Sequence, residues 1–343
     1  MDETLTASLD DAIAAGFSGV VHVTRGGETL FSRAAGEADR AHGIPNTLDT
    51  QFAMASGSKG FTALAVMGLV ADGALTLATT VRSVLGDALP LIDPAVTVEH
   101  LLAHTSGIGD YLDEDELGDI NDYVMPVPVH LLAGTAAFLP VLDGFPTKFP
   151  PGERFSYCNG GYVVLALVIE AVSESAYHDV VARTVFDRAG LGSTAFLRLD
   201  ELPGTAALGY LSKPEVGGLR TNVLHLPVLA TGDGGTFTTA ADMAAFWPAL
   251  LDGTVLPEAV VSEMVRPRND VPSESLRYGL GFWLRPDRDT VLLEGCDAGV
   301  SFRSVYDPAS TLHYTVIAND AHGAWPVKGI LDEHLPALAA ATT

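Results

Sequence analysis

Apolar and polar residues alternate near both ends of the chain, a spacing typical of short β-strands. Residues 20–24 and 29–33 are two such runs, and the glycine pair at 26–27 between them predicts a hairpin. Strand patterns then return late in the chain, at the spacing of successive hairpins. These late runs are residues 280–284, 291–294, 301–306 and 313–318.

Between these ends the apolar residues recur every three or four positions, which favours helices. The predicted helices are residues 2–15, a helix that contains Lys59, and residues 98–104, 161–173, 177–189 and 327–341. Strands at both ends with helices between them predict an α+β fold, with an antiparallel β-sheet flanked by helices and an inserted all-helical lobe. The expected sheet domain comprises residues 1–75 and 236–343, and the expected helical domain residues 76–235.

Composition narrows the possible partners. The 343 residues carry a formal charge of −24, so nucleic acid and anionic membrane surfaces would be repelled. The best apolar run, residues 162–169, is too short to span a bilayer. Because the N-terminus is acidic and lacks the features of a signal peptide, a cytoplasmic chain is expected. Two cysteines, Cys158 and Cys296, do not make a disulfide framework.

The densest acidic stretch is residues 110–123, which read DYLDEDELGDINDY. Charge runs of this kind are usually solvated. We therefore predict a solvated loop or lid here, in preference to a direct role in binding.

Candidate chemistry begins at Ser56 and Lys59, which stand three residues apart at the start of an apolar helix. A serine hydroxyl becomes a good nucleophile when a base takes its proton, and a lysine can be that base if its pKa is lowered. Desolvation would lower it. The apolar neighbours that would desolvate it are Phe52, Met54, Phe61 and Leu64. The alternative is a Lys59 that extends to solvent while Ser56 caps the helix.

A second segment, residues 157–161, reads YCNGG and precedes a predicted helix. The phenol of Tyr157 can share a proton with a lysine. The Asn159 amide has both a donor and an acceptor, which suits it to hold a lysine and a substrate carbonyl. Taken alone, Tyr157 is more typical of a half-buried core aromatic.

Five short segments then occur in order along the chain: SGSK (56–59), LLAHTSGI (101–108), YCN (157–159), GGTFTTAADMAAF (234–246) and YGLGFW (278–283). Together they resemble the serine β-lactamase/penicillin-binding-protein superfamily over essentially the whole chain. The most similar branch contains class C β-lactamases, D-Ala-D-Ala carboxypeptidases and family VIII carboxylesterases. The resemblance implies an active site in the cleft between the sheet domain and the helical lobe.

The resemblance also implies roles for individual residues. Ser56 would be the acylated nucleophile, and Lys59 with Tyr157 would activate it and protonate the leaving group. Asn159 would orient Lys59 and the substrate, and the HTSG loop that begins at His104 would shape the site. No cofactor is implied, and the expected partner is a small-molecule ester or amide.

The third motif of the superfamily, Lys or His, a variable residue and then Gly, is altered here. Its best match lies in residues 292–304, LLEGCDAGVSFRS, with Cys296 in place of the cation and Ala298 near the glycine. The residue after the motif normally donates its backbone N–H to the oxyanion hole, together with the N–H of the nucleophile. That residue would be Gly299, or Ala298 if the register slips by one.

A thiol cannot bind a substrate carboxylate as a cation does, although Arg303 or another arginine could substitute. The predicted activity is therefore a serine esterase acting on small neutral carboxylic esters. The alternatives are a β-lactamase or D-alanyl-D-alanine carboxypeptidase type of amide hydrolase, and an acyltransferase that uses the same acyl-enzyme.

Two other chemistries are less well supported. His100 and His104 are spaced as a zinc pair on one helical face, but the motif lacks the glutamate of a metalloprotease helix and no third ligand stands nearby. Cys158 and Cys296 have no imidazole partner in the sequence pattern, so we interpret them as small thiols rather than nucleophiles. The sequence makes no prediction of oligomeric state.

Overall fold

Strands from both ends of the chain form one antiparallel sheet. The computed structural model describes residues 1, 3–213 and 218–340. Within this part of the chain, Gly19 lies opposite Ala318, which joins the N-terminal hairpin to the C-terminal strands. In spatial order the eight strands are β10 (Asn269–Val271), β11 (Leu276–Tyr278), β12 (Trp283–Leu284), β13 (Val291–Asp297), β14 (Val300–Asp307), β15 (Leu312–Ala318), β1 (Gly19–Arg25) and β2 (Glu28–Ala35).

Some of the described helices cover the two faces of this sheet, and the others pack against helices. The described helices are α1 (Glu3–Ala14), α2 (Lys59–Ala71), α3 (Val81–Leu85), α4 (Val98–Leu102), α5 (Leu139–Leu142), α6 (Asn159–Ser173), α7 (Tyr177–Val181), α8 (Asp187–Ala189), α9 (Ala240–Leu251), α10 (Glu258–Met264) and α11 (Ala324–Ala340). In the described part of the chain, no single helix is long and apolar enough to cross a membrane. The pair Asn159–Ser173 and Tyr177–Ala189 reaches that length and composition only together, across an 82° bend.

Three small sheets complete the fold. They are β3 (Glu37–Asp39) with β4 (Ile44–Pro45), β7 (Tyr210–Lys213) with β8 (Gly218–Thr221), and β5 (Phe52–Ala53) with β9 (Thr236–Thr238) and β6 (Ala195–Phe196). In the last of these, Ala53 lies opposite Phe237. This pairing brings the chain just before Ser56 next to the chain just after Asp233.

The apolar core lies on both faces of the large sheet. On one face, α1 and α11 bury residues such as Leu9 and Leu331 against the strands. On the other face, α2, α6 and α9 bury residues such as Phe61 and Trp247. A sheet with apolar residues on both faces requires cover on both sides, which is the arrangement observed.

The structure confirms the predicted α+β class with an antiparallel sheet flanked by helices. The predicted strand 280–284 is wrong in extent, because Gly281 has a φ of +88° and only Trp283–Leu284 pair. The region 76–235, expected to be helical, also contains β6, β7 and β8. Residues 2 and 341, predicted to be helical, lie outside the described residues. The proposed domain boundaries stay a prediction.

We expect Leu331→Ala to lower the free energy of unfolding by about 2–5 kcal/mol, because it removes a fully buried side chain between α11 and the sheet. Urea denaturation followed by circular dichroism measures this change. Glu333→Ala, an exposed position on the same helix, is the matched control and should change stability little. Equal stability of both variants would contradict the packing described here.

Candidate active site

Ser56 lies in a 3₁₀ turn, Ala55–Ser58, that connects β5 to α2. In such a turn, residues three apart are eclipsed, so Ser56 and Lys59 project in the same direction. Ser56 is half-buried, whereas the Ser58 hydroxyl is buried and accepts a hydrogen bond from the Thr236 N–H at 3.0 Å. Of the two serines, Ser56 is therefore the one that faces open space.

The Lys59 amine is buried, with the residue only 1% exposed. It donates to Ser56 Oγ at 2.9 Å, to Asn159 Oδ1 at 2.8 Å and to the Asp233 carbonyl at 2.7 Å. Burial lowers the pKa of Lys59, and the carboxylate of Asp233 is the largest influence in the opposite direction. The alternative in which Lys59 extends to solvent is therefore excluded by this geometry.

The Tyr157 phenol reaches the same serine. It hydrogen-bonds the Ser56 side chain, and the Lys59 Nζ lies 5.0 Å from the centroid of its ring. The ring stacks on His104 at 4.2 Å between centroids and lies parallel to Trp283 at 6.1 Å. Burial raises the pKa of Tyr157 well above its usual value, which keeps the phenol protonated and able to donate.

His104 supports this tyrosine. Its Nδ1 accepts a hydrogen bond from the Cys158 N–H at 3.0 Å, and burial lowers the pKa of the imidazole well below its usual range. A neutral His104 therefore holds the backbone beside Tyr157. His100 lies in the capping box of α4, where its Nδ1 accepts from the Thr97 N–H at 3.2 Å. In both histidines, Nδ1 is thus occupied by a backbone N–H.

The prediction that residues 110–123 form a solvated loop is wrong for the first part of that stretch. Asp110 is buried and accepts the N–H groups of Asn159 at 2.5 Å and Gly160 at 2.8 Å. Burial raises the pKa of Asp110 to about 6. Glu114 accepts from Asn159 Nδ2 at 3.0 Å, and the Tyr111 phenol donates to the Asp233 carboxylate.

A run of charges in the sequence does not show which of its carboxylates contact Asn159, so these partners were not predicted. Asp110 lies two residues after the LLAHTSGI segment that carries part of the resemblance, and Asp233 immediately precedes the glycine pair of another such segment. The positions of these two aspartates near the segments that carry the resemblance could have indicated that they lie at the site. Farther along the same stretch, Glu114, Asp115 and Glu116 are exposed, as a solvated loop requires, although Glu114 also contacts Asn159.

Strand β13 approaches Ser56 through Gly295. A Cβ atom on this residue would lie 2.3 Å from the Met54 carbonyl oxygen and 2.7 Å from the Ser56 nitrogen, so only glycine fits. The third-motif glycine is therefore Gly295, three residues before the predicted Ala298. The residue that follows it is Cys296.

The backbone of Cys296 faces the cleft. Asp297 pairs with Val300 across a two-residue turn, and the next pair of opposite residues in this hairpin is Cys296 with Ser301. Since the closing pair of such a hairpin is hydrogen-bonded, the next pair is not, and the Cys296 N–H points away from β14. Ser56 and Cys296 line the same two cavities, so this N–H is suited to an oxyanion hole with that of Ser56.

The assignment of the oxyanion donor to Gly299, or to Ala298, is therefore corrected. Gly299 forms the hairpin turn with a φ of +75°, and a Cβ there would lie 2.8 Å from the Tyr210 nitrogen. Ala298 is buried, and its carbonyl accepts from Asn222 Nδ2 at 3.0 Å. The turn packs against β7 rather than against Ser56.

The cation of the third motif is absent in the corrected register too. Two residues before Gly295 stands Leu293, which is buried against Gly60. The Cys296 thiol donates weakly to the Ala321 carbonyl at 3.5 Å, and desolvation raises its pKa to about 12. Arg303, considered as a substitute, is buried and paired with the carboxylates of Glu294 and Asp332.

Two cavities meet at Ser56. The smaller, about 60 Å³, is enclosed largely by apolar side chains that include Leu197, Leu199, Leu226 and Phe237. The larger, a cleft of about 520 Å³, has carboxylates on its walls: Glu114, Asp115, Glu274 and Glu294. Of the described residues that line this cleft, Arg154 is the basic one, and its guanidinium lies 4.2 Å from the centroid of the Phe149 ring.

The protein-family model described as Beta-lactamase matches residues 5–338. The chain belongs to the Beta-lactamase family. The crystal structure of a penicillin binding protein from Bacillus halodurans superposes with a TM-score of 0.89 at 37% identity, covering 96% of this chain and 99% of that one. The chain is thus of the β-lactamase and penicillin-binding-protein type.

Curated relatives include proteins with different names. The putative penicillin-binding protein PbpX of Bacillus subtilis (strain 168) is 29% identical over 79% of this chain and 63% of its own length. Esterase EstB of Burkholderia gladioli is 29% identical over 77% of this chain and 73% of its own length. This Beta-lactamase family chain thus spans less than two thirds of the length of PbpX.

We expect Gly295→Ala to slow acylation of Ser56 by about a hundredfold or more, because the added methyl group would displace β13 from the Ser56 turn. Intact-protein mass spectrometry after exposure to an acylating agent measures the rate. Gly192→Ala, where a methyl group meets nothing within 4 Å, is the matched control. An unchanged rate in Gly295→Ala would contradict the corrected register.

Proposed function

We propose that this protein hydrolyses small neutral carboxylic esters through an acyl-enzyme on Ser56. The Ser56 oxygen attacks the ester carbonyl while its proton passes to the Lys59 amine, with which it already shares a hydrogen bond of 2.9 Å. The negative charge that develops on the carbonyl oxygen is stabilised by the N–H groups of Ser56 and Cys296.

The second half of the reaction uses the same residues. When the tetrahedral intermediate collapses, Lys59 and Tyr157 return the proton to the leaving alkoxide, and the alcohol departs. Water then attacks the acyl-enzyme, giving up its proton to the same pair, and the carboxylic acid is released while Ser56 regains its proton. Asn159 holds the amine in place during both steps.

The observation that supports an ester is the charge of the cleft. The cation that could hold a substrate carboxylate in the third motif is replaced by Leu293, and four carboxylates line the larger cavity. An anionic substrate would lose hydration without gaining a charge-assisted hydrogen bond at that position. A neutral ester avoids this cost. The name of the relative EstB agrees with this proposal.

Amide hydrolysis is the second candidate. It is favoured by the similarity to penicillin-binding proteins and by the exposed guanidinium of Arg154, which could hold the carboxylate of a peptide or β-lactam. Acyl transfer to an alcohol or amine would pass through the same acyl-enzyme. These reactions differ in the donor and the acceptor, while the chemistry at Ser56 is shared.

We expect Ser56→Ala to abolish hydrolysis of p-nitrophenyl butyrate while the fold persists, because the attacking oxygen is removed. Release of p-nitrophenol measures the activity, and circular dichroism checks the fold. Ser58→Ala, two positions away and outside both cavities, should retain most of the activity. Activity of Ser56→Ala within about tenfold of the parent would place the nucleophile elsewhere.

We expect a neutral p-nitrophenyl ester to exceed a matched ester with a free carboxylate in kcat/KM by about tenfold or more, because the cleft is acidic. The same assay with nitrocefin and a D-Ala-D-Ala peptide tests the amide alternative. Turnover of these anionic substrates as efficient as that of the neutral ester, with a loss in Arg154→Ala, would instead support the second candidate.

A further inference from the structure

Two of the three acceptors that hold the Lys59 amine are themselves held by one short stretch of chain. This stretch, residues 110–114 (DYLDE), is named the clamp segment here. It contacts Asn159 through Asp110, Leu112 and Glu114, and Asp233 through Tyr111. The third acceptor, Ser56, is the residue to be activated.

The contact with Asn159 determines which way its amide faces. The Nδ2 group donates one hydrogen bond to the Leu112 carbonyl and another to Glu114 Oε1, each at 3.0 Å. Because both amide hydrogens have acceptors in the clamp segment, the carbonyl oxygen Oδ1 is left facing Lys59, at 2.8 Å. A flipped amide would bring an N–H₂ group toward the amine and lose both bonds.

The contact with Asp233 acts on the other side of the amine. The Tyr111 phenol donates to the Asp233 carboxylate, and the backbone carbonyl of the same residue accepts from Lys59. The Tyr123 phenol donates in turn to the Tyr111 carbonyl at 2.8 Å. The loop that carries Asp233 is thereby tied to the clamp segment.

We propose that the clamp segment positions the base of this enzyme: Glu114 and Tyr111, acting through Asn159 and Asp233, fix the direction of the Lys59 amine toward Ser56. The proposal rests on the proposed function of Lys59 as the base. Glu114 contacts Asn159 and Tyr111 contacts Asp233, and both act on Ser56 through these partners, so both are positioning residues. Their effect is therefore expected in the rate at which Ser56 reacts.

The groups around Lys59 also influence its pKa through their charges. The carboxylates that face Lys59 come from the clamp segment (Asp110 and Glu114), from the loop before β9 (Asp233) and from β13 (Asp297). The rings of Tyr157 and Tyr162 also face the amine, His104 stacks on Tyr157, and burial keeps all three neutral. Each ionised carboxylate favours the ammonium form of Lys59, whereas burial favours the free amine.

Position and charge can be separated at Glu114. In Glu114→Gln an oxygen remains to accept from Asn159, but one negative charge is lost. In Glu114→Ala the acceptor is lost as well. Tyr111→Phe removes the bond to Asp233 with no change of charge or ring. Glu116→Gln is the matched control, since Glu116 is exposed in the same stretch as Glu114 is, and it loses the same charge without being one of the carboxylates that act on Lys59.

The experiment measures the rate at which a fluorophosphonate reagent modifies Ser56 as a function of pH, with the site mapped by peptide mass spectrometry. We expect Glu114→Ala and Tyr111→Phe to lower the limiting rate by about tenfold or more. Glu114→Gln should keep the limiting rate within about threefold of the parent, while the acid limb of its profile moves to lower pH by about one unit. Glu116→Gln should match the parent in both respects.

The sign of the pH shift follows from the base. Lys59 must be uncharged to take the proton, and loss of a neighbouring negative charge lowers its pKa, so the free amine persists at lower pH. A profile of Glu114→Gln that is unshifted, or shifted to higher pH, would overturn the electrostatic part. Limiting rates of Glu114→Ala and Tyr111→Phe within twofold of the parent would overturn the positioning part.

This readout does not depend on the natural substrate. If the parent reacts with the reagent at Ser56 but hydrolyses no ester, the proposed ester activity is refuted. The effect of the clamp segment on the rate of Ser56 modification can still be measured in that case. A parent that shows no reaction at Ser56 would overturn the clamp together with the role of Lys59. Thermal unfolding of each variant shows whether a slow rate reflects a lost fold. If Tyr111→Phe proves unstable, the comparison of Glu114→Ala with Glu114→Gln tests the positioning role.

Discussion

A lysine amine buried beside a serine hydroxyl is the interaction on which the rest of this site depends. Taking an ammonium group out of water is costly unless it is paired, and Lys59 meets a serine hydroxyl, an amide oxygen and a backbone carbonyl in place of a bound carboxylate. Neutral acceptors make the charged form less favourable than a salt bridge would. The amine is therefore held by hydrogen bonds that it keeps, in part, when it loses a proton. A base that must cycle between two charge states benefits from partners of this kind.

The fold brings these acceptors together from distant parts of the chain. β5 and β9 pair, which places the Ser56 turn beside the loop of Asp233, while α6 begins at Asn159 on the other side of the amine. Strand β13 closes the arrangement from the sheet, and Gly295 allows its backbone to contact that of Ser56. Because β13 lies in the middle of the eight described strands, its position is fixed by pairing with β14 over seven residues. The site is thus rigid where the oxyanion would be stabilised.

Short segments and the resemblance that they carry were sufficient to predict part of this site. Ser56 and Lys59 stand one turn apart, and the structure brings Tyr157 and Asn159 to them, whereas the predicted Gly299 packs against Tyr210. The hairpin at Gly26–Gly27 and the antiparallel sheet were likewise predictable from periodicity. The register around Cys296 was not, because nothing in the spacing shows which glycine contacts Met54 and Ser56. The role of Asp110 was missed for a related reason: its partners are backbone N–H groups 49 and 50 positions away, and a count of charges is blind to them.

The carboxylates around Lys59 connect the base to the choice of substrate. Glu114 faces both Lys59 and the larger cavity, so one group influences the charge of the base and the charge that a ligand meets on entry. A substrate carboxylate bound there would favour the ammonium form of Lys59 further and raise the pKa of the base that must be neutral to act. In a site with a cation in the third motif, that cation would offset both effects. With Leu293 in its place, the same electrostatic field that acts on the base disfavours anionic substrates, and the proposed ester selectivity would follow from how the lysine is held.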